Sequence, residues 1–304
     1  ADLNKRYVGE SWPSDPAKNE TMKQVRDRLF QLAHRHKISL IDADPNAGGD
    51  APSSEWASRL NGSLFTSAKG YDGPGVGVGN NVYSIGTYSS WNWKGEGQAG
   101  MWKHADNWAN WFAVNAPLSE YFLYLIDESN DYAQIEQWSQ WINNNPGVGK
   151  NMKSLATISV PDAAANTPSL DIPVSTMYVG DTATWQNAAN KYLNNPDKRF
   201  YMYNGGRPGQ GSFMTEDDGA ALRELAWGQY KKGINRWFYW ESTYYNNYQG
   251  GMGETNVFRQ AQTFGSNSSM STMLGQNGWN YSNGDGLLFY PGTDKVYTAE
   301  SYNV

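Results

Sequence analysis

The sequence predicts an α/β fold of the (β/α)8, TIM-like barrel type, formed by residues 1–304 as a single domain. Short apolar segments alternate with amphipathic segments along most of the chain, and repeated strand and helix units are typical of this class. The apolar segments lack polar alternation, which is the pattern of parallel strands covered on both faces. A barrel of roughly 250 residues routinely forms one domain, so the length requires no division.

Eight segments are predicted as strands because each is a short apolar or aromatic run bounded by polar residues, Gly or Pro. Amphipathic segments between several of them predict helices. An open doubly wound sheet is less favoured, because no phosphate-binding glycine turn follows the first strand candidate. The strand candidates centre on Tyr7, Leu40, Tyr83, Leu123, Ile158, Met177, Tyr201 and Phe238, and the helices cover 19–36, 101–115, 132–143, 184–193 and 217–233.

Two regions rich in Gly, Ser and aromatic residues interrupt the alternation and are predicted as long rim loops, near 46–100 and 242–282. The glycine run at 73–79 is not followed by Gly-Lys-Ser or Gly-Lys-Thr, so we expect no phosphate-binding loop there. The sequence reaches Val304 without an obvious amphipathic closing segment. We therefore expect a barrel that lacks its closing C-terminal helix, which another domain or chain could supply.

The composition excludes some classes of partner and favours another. The sequence has no cysteine and its three histidines are not clustered, so we expect neither a metal nor another cofactor. With a net charge of −6, nucleic acid is not an expected partner, and no apolar run approaches the roughly 20 residues that span a bilayer. Its 14 Trp and 20 Tyr offer flat apolar faces with polar tips, which suit sugar rings. We expect an oligosaccharide or polysaccharide as partner and a secreted or cell-envelope location.

The segment Tyr121–Asp131 is the strongest functional signal in the sequence. Six apolar or aromatic residues lead directly into Asp127 and Glu128, which predicts a buried strand with two adjacent carboxylates at its carboxyl end. In barrels of this type, the chemistry lies where such strands end. An alternative is that Asp127 caps the helix that follows, since Asp favours helix starts. One cap, however, does not require two neighbouring acids.

If the strand ends converge on one face of the barrel, they place a group of acidic, aromatic and amide side chains at one rim. For the two loop tryptophans, stacking against a sugar and simple loop packing are both open interpretations. The candidate residues are Asp42, Asp44, Trp91, Trp93, Asp127, Glu128, Asp181, Tyr203, Asn204, Tyr239, Trp240 and Glu241.

Two carboxylates suffice for glycoside cleavage, which needs a proton donor and a second group that stabilises the cationic carbon. Side chains of consecutive residues on an extended strand point to opposite faces, so Asp127 and Glu128 would not flank one glycosidic bond. They could act together on a substrate whose own 2-acetamido group is the nucleophile. Glu128 would then protonate the leaving group while Asp127 orients and stabilises the acetamido nitrogen.

Three blocks of the sequence, at 124–128, 233–240 and 283–292, together resemble glycoside hydrolase family 123 and its uncharacterised barrel relatives. The resemblance implies a β-N-acetylgalactosaminidase-like barrel with substrate-assisted retention, in which Asp127 is the acetamido stabiliser and Glu128 the general acid and base. Two residues depart from the family pattern. Ser129 stands where relatives commonly have proline, and Glu241 is not expected from the family.

Two further functions remain open from the sequence. Glu128 could be the acid and base of a retaining glycosidase whose nucleophile is Glu241, acting on a sugar without an acetamido group, with the two carboxyl groups about 5 Å apart. The chain could instead be a non-catalytic protein that binds polysaccharide or forms part of a surface layer.

Overall fold

The computed structural model describes residues 2–178, 183–204, 211–214, 217–244 and 286–290. Its helices and strands alternate from β1 onward. In chain order the elements are α1 (Asp2–Val8), α2 (Pro16–Arg35), α3 (Ser54–Leu60), β1 (Val82–Gly86), α4 (Gly97–Asn115), β2 (Glu120–Ile126), α5 (Tyr132–Asn143), β3 (Lys153–Thr157), α6 (Val160–Asn166), β4 (Ile172–Ser175), α7 (Ala183–Leu193), β5 (Tyr201–Tyr203), α8 (Gly219–Lys232) and β6 (Trp237–Phe238).

The chain divides into two units. The larger unit comprises Val25–Ser175 and Thr182–Tyr201, and the smaller unit comprises Ala1–Gln24, Thr176–Asp181 and Met202–Val304. Across the part of the chain that the structure describes, no helix is both long and apolar enough to cross a membrane.

In the larger unit, β1 to β4 lie side by side in chain order and are all parallel. Tyr83 pairs with Tyr121 between β1 and β2, and Leu155 pairs with Ile172 between β3 and β4. Between β2 and β3 the register shifts once: Tyr124 pairs with Leu155, but Ile126 pairs with Ala156. Strand β2 therefore carries one residue more than its neighbour at this point, as in a β-bulge.

Helix α5 connects β2 to β3, and the sequence specifies it through a capping residue and a buried apolar face. The Asp131 carboxylate accepts the N–H of Gln134 at 3.0 Å and so caps the first turn. Ile135, Trp138 and Ile142 follow at helical spacing and are buried. A strand, a helix and a parallel strand in this order form the βαβ unit from which α/β barrels are built.

The smaller unit contains a second parallel pair, β5 and β6, in which Met202 pairs with Trp237. Helix α8 connects the two strands, and Asp218 caps its first turn by accepting the N–H groups of Ala220 and Ala221. Gly233 follows its last residue, with a φ of +73° in the left-handed conformation that favours glycine at a helix end.

The predicted α/β, barrel-like fold class is confirmed by parallel strands that follow one another with helices between them. The strand candidates at Tyr83, Leu123, Tyr201 and Phe238 lie in β1, β2, β5 and β6. The strand candidates centred on Ile158 and Met177 are displaced by a few residues, since β3 ends at Thr157 and β4 ends at Ser175.

Two strand candidates are wrong. Tyr7 lies in α1, where it and Leu3, four residues earlier, pack against Leu287. The segment around Leu40 forms no strand. The Leu40 carbonyl oxygen accepts a hydrogen bond from the side-chain amide of Asn80 rather than from a backbone N–H of a neighbouring strand. A short apolar run does not by itself determine where its backbone hydrogen bonds go.

The two predicted rim regions are described to different extents. The region 46–100 contains α3 and a 3-10 turn at Ser67–Lys69, besides β1, which was predicted around Tyr83. Most of the region 242–282 lies outside the described residues, as does the chain after residue 290.

Candidate active site

Asp127 and Glu128 lie in a bend directly after β2, beyond the last strand residue, Ile126. The two residues therefore belong to a turn, not to the extended backbone that the alternation argument assumes. Because Asp131 caps α5, the alternative that Asp127 is the helix cap is wrong. The Asp127 carboxylate has a different set of partners.

Three hydroxyl groups donate hydrogen bonds to Asp127. Tyr124 Oη and Thr157 Oγ1 both donate to Oδ1, at 2.7 and 2.6 Å, and Tyr88 Oη donates to Oδ2 at 2.8 Å. The donors come from β2, from the end of β3 and from the turn after β1. A carboxylate has about four acceptor positions, so one on Oδ2 is left by these three contacts. The arrangement fixes Asp127 as an oriented acceptor.

Thr157 connects the two acidic residues through one hydroxyl. It is the last residue of β3, is buried, and its Oγ1 accepts the backbone N–H of Glu128 at 2.6 Å while donating to Asp127. Glu128 has a φ of +46°, in the left-handed region that non-glycine residues rarely adopt. The hydrogen bond to Thr157 holds the backbone of Glu128 in this conformation.

The two acids differ in exposure. Asp127 is half-buried among its donors, whereas Glu128 is exposed. Glu128 is thus the carboxyl group that a ligand from solvent can reach, and Asp127 is the one whose direction the protein fixes. This pair could align a polar N–H group at Asp127 and exchange a proton at Glu128.

Tyr88 differs from the other two donors because it is 72% exposed, with a φ of +63°. Its hydrogen bond to Asp127, partial burial and the negative charges of Asp127 and Glu128 raise the pKa of Tyr88 to about 12. The turn that carries it begins at Gly86, whose φ is +101° and where a Cβ would lie 2.4 Å from the carbonyl oxygen of Tyr124. Glycine at this position lets the turn pass close to β2.

None of Tyr88, Tyr124 and Thr157 was predicted as a site residue. Tyr124 lies within the apolar run, and Thr157 ends another, so both resemble ordinary strand residues. The one signal available was a hydroxyl-bearing residue at or near the end of each of these neighbouring strands.

The loop tryptophans lie in an aromatic cluster. Trp93 is 3% exposed and stacks on His104 with ring centroids 5.0 Å apart. Trp91 is half-buried, packs edge-on against Trp138, and has the Lys94 ammonium 4.8 Å from its ring centroid. A contact of either ring with a sugar stays a prediction.

Asp44 and Asp42 have different surroundings in the larger unit. Asp44 is 2% exposed and accepts the N–H of Ser53 at 2.8 Å and the hydroxyl of Tyr83 at 3.0 Å. Burial, followed by the charge of Asp44, raises the pKa of Tyr83. Asp42 lies 3.9 Å from the Arg59 guanidinium, and its side chain is partly exposed.

The candidates of the smaller unit lie at the carboxyl ends of β5 and β6. The side-chain oxygen of Asn204 accepts the N–H of Trp240 at 2.7 Å, and the Tyr239 hydroxyl accepts the N–H of Gly286 at 3.3 Å. Tyr203 ends β5, with its ring 6.5 Å from that of Phe238.

Glu241 is half-buried and follows Trp240. Because it belongs to the smaller unit and Glu128 to the larger one, its role as a nucleophile paired with Glu128 stays a prediction. Asp181 lies outside the described residues.

Among the residues with described positions, no three or more His, Cys, Asp or Glu side chains form a group that could hold a metal ion.

No protein-family model and no curated protein matches this sequence. Among solved structures, a glycoside hydrolase family 5 enzyme from Prevotella bryantii B14 is similar over 71% of this chain and 78% of its own, with 8% identity and a TM-score of 0.36. An endo-beta-mannanase/endo-beta-glucanase from Prevotella bryantii is similar over 79% of this chain, with 8% identity and a TM-score of 0.39. This chain spans 42% of the latter's length. Similarities at this level carry no argument about activity.

Proposed function

We propose that this protein is a retaining glycoside hydrolase that cleaves an N-acetylhexosamine-containing glycan by substrate-assisted catalysis. One observation carries the proposal: Asp127 is held as an oriented acceptor by the buried hydroxyl groups of Tyr124 and Thr157, directly beside the exposed carboxyl group of Glu128. The resemblance of the three sequence blocks to glycoside hydrolase family 123 supports the finer expectation of a β-N-acetylgalactosaminidase-like specificity.

In this proposal Asp127 acts on the acetamido group of the substrate. Its Oδ2 accepts the acetamido N–H, which turns the acetamido oxygen toward the anomeric carbon. As that oxygen attacks and the bond to the leaving group breaks, positive charge develops on the acetamido nitrogen, next to the Asp127 carboxylate. Negative charge fixed where positive charge develops stabilises the transition state. The hydroxyl groups of Tyr124 and Thr157 keep Asp127 in this position.

Glu128 carries the proton. In the first step it donates a proton to the leaving glycosidic oxygen, and in the second its carboxylate accepts a proton from the water that attacks the anomeric carbon. The two inversions at that carbon give net retention. An exposed carboxyl group suits this role, because it must meet the leaving group and then water.

The proposal is tested with aryl β-N-acetylgalactosaminides and β-N-acetylglucosaminides, and with aryl β-galactosides as controls without the acetamido group. We expect hydrolysis of an acetamido substrate only, with retention at the anomeric carbon. Glu128→Gln should lower kcat about 10²-fold to 10⁴-fold, the usual contribution of general acid and base catalysis. Circular dichroism of the variant controls for folding, and unchanged hydrolysis by a folded Glu128→Gln protein would refute the proposal.

A second candidate uses Glu241 as a nucleophile on a sugar without an acetamido group. The position of Glu241 favours it, since Glu241 follows β6 closely, as Glu128 follows β2. Mass spectrometry after incubation with a 2-deoxy-2-fluoro glycoside distinguishes the two: a covalent sugar on Glu241 supports the second candidate. Glycan binding without turnover of any substrate would support a polysaccharide-binding or surface protein instead.

The proposed activity also suggests a place of action. A glycan of this kind is reached outside the cell or within the cell envelope, so we propose a secreted or envelope-associated protein.

A further inference from the structure

The three donors to Asp127 differ sharply in exposure. Thr157 is 3% exposed and Tyr124 is 4% exposed, and both donate to Oδ1. Tyr88 is 72% exposed and donates to Oδ2. A ligand that arrives from solvent therefore reaches Asp127 on the side of Oδ2, where the Tyr88 phenol already holds one of the two acceptor positions.

The Tyr88 phenol is suited to leave this position. The buried donors Tyr124 and Thr157 lie in strand β2 and at the end of strand β3. Tyr88 instead lies in a turn and is mostly exposed to water. Once displaced, its hydroxyl can hydrogen-bond to water, so the exchange of one donor for another at Oδ2 has a small net cost. Displacement of Tyr124 or Thr157 would instead leave a buried hydroxyl without that compensation.

We propose that Tyr88 controls access to the acetamido position of the site: its phenol holds, in the free protein, the acceptor position of Asp127 Oδ2 that the amide N–H of a bound N-acetylhexosamine takes, and the amide displaces it. This inference rests on the proposed function. It makes Tyr88 a competitor of the substrate rather than a group that positions Asp127, since Oδ1 keeps both of its buried donors during the exchange.

The raised pKa of Tyr88 agrees with a phenol that is hydrogen-bonded to Asp127 in the free protein. The hydrogen bond to Asp127 is the largest cause of the increase to about 12, and the charge of the same carboxylate adds to it. The neutral phenol is therefore the form that covers Oδ2 throughout the neutral range, and pH changes near neutrality do not open the site through Tyr88.

The contact in the free protein is tested without any sugar. Thermal unfolding is measured for the wild type, Tyr88→Phe, Asp127→Asn and the double variant. The Tyr88→Phe variant keeps the ring and the Cβ at this left-handed position, so it removes the hydroxyl alone. We expect Tyr88→Phe to shift Tm in the wild type and to have a smaller effect when Asp127 is already Asn. Equal shifts in both backgrounds would overturn the inference.

The competition is tested by calorimetry with N-acetylgalactosamine and N-acetylglucosamine, with galactose as the ligand without an acetamido group. Removing the competing phenol should lower the Kd of Tyr88→Phe for an acetamido sugar about threefold to tenfold, the equivalent of one exposed hydrogen bond. With an aryl substrate, KM should fall by a similar factor while kcat changes little. Tyr230→Phe is the matched control, because Tyr230 is 81% exposed on α8 and packs against Trp227.

The outcomes separate this inference from the function on which it rests. If the wild type binds an acetamido sugar but Tyr88→Phe binds it equally or less tightly, Tyr88 is not a competitor and the inference alone fails. A fall in kcat with unchanged KM would instead make Tyr88 a positioning residue, and also overturns it. If neither protein binds either acetamido sugar, the proposed function fails and the inference falls with it.

Discussion

Asp127 and Glu128 both depend on the hydroxyl group of Thr157. It accepts the N–H of Glu128 and donates to Oδ1 of Asp127, each at 2.6 Å, from a buried position. A hydroxyl can do both at once because it has one donor and two acceptor positions. The directions are fixed, since the backbone N–H can only donate and the carboxylate accepts.

Thr157→Val and Thr157→Ser test this role. Valine keeps the shape but removes the hydroxyl, so we expect kcat to fall about tenfold to a hundredfold through misplacement of both acids, with a smaller change in KM. Serine keeps the hydroxyl and should restore most of kcat. The pH profile of kcat should change in the valine variant, because the surroundings of both acids change.

A purely structural role of Thr157 predicts another pattern. Valine would then lower the free energy of unfolding by about 1–3 kcal/mol through the unpaired buried groups, but kcat of the folded fraction and the pH profile would match those of the wild type. Chemical denaturation measured together with kinetics distinguishes the two cases.

At the scale of elements, β3 and β4 are joined by a polar contact at their beginning. Asp171 directly precedes β4 and is 5% exposed, and its carboxylate accepts the N–H and the hydroxyl of Ser154, each at 2.9 Å. Burial raises the pKa of Asp171, against the hydrogen bonds from Ser154 and the charges of Lys153 and Lys198, which lower it.

The raised pKa of Asp171 predicts a pH dependence of stability. Because the native protein holds the Asp171 proton more tightly than the unfolded chain does, the native state binds more protons between the ordinary value and the raised one. The stability of the wild type relative to Asp171→Asn should therefore increase as the pH falls from neutral through the raised pKa, and level off near 4.

Chemical denaturation of both proteins between pH 4 and pH 7 measures this difference. Asp197→Asn is the matched control, because it makes the same substitution at an exposed position. Parallel curves for the wild type and Asp171→Asn would contradict the prediction.

At the scale of the whole molecule, five of the 13 tryptophans with described positions are buried and form part of the interior. The rings of Trp56, Trp108 and Trp185 are at most 2% exposed. Trp56 packs edge-on against Phe30 and Tyr83. Large aromatic side chains bury much apolar area each, which suits a chain in which only 39% of residues are hydrophobic. An excess of aromatic residues is therefore weak support for a glycan partner.

The sequence was sufficient for the elements whose pattern is local. The unbroken apolar run of β2 predicted a buried parallel strand, and the amphipathic pattern of α5 predicted its crossover helix. Tyr7 was assigned wrongly because its helix packs against Leu287, which lies 280 residues away in sequence and gives no local signal. The acids were found because they end a strand. Their hydroxyl partners depend on the strand register and on the left-handed turn at Tyr88, which the residue pattern does not show.

The single register shift between β2 and β3 has a consequence for insertions and deletions. The extra residue near Leu125 pairs Ile126 with Ala156, so β2 ends beside the end of β3, and the turn that follows brings Asp127 to the Thr157 hydroxyl. Loss of one residue between 121 and 126 would leave the Asp-Glu pair intact in the sequence while separating Asp127 from its partners. The pair is therefore informative in a related sequence only when the length of the strand before it is preserved.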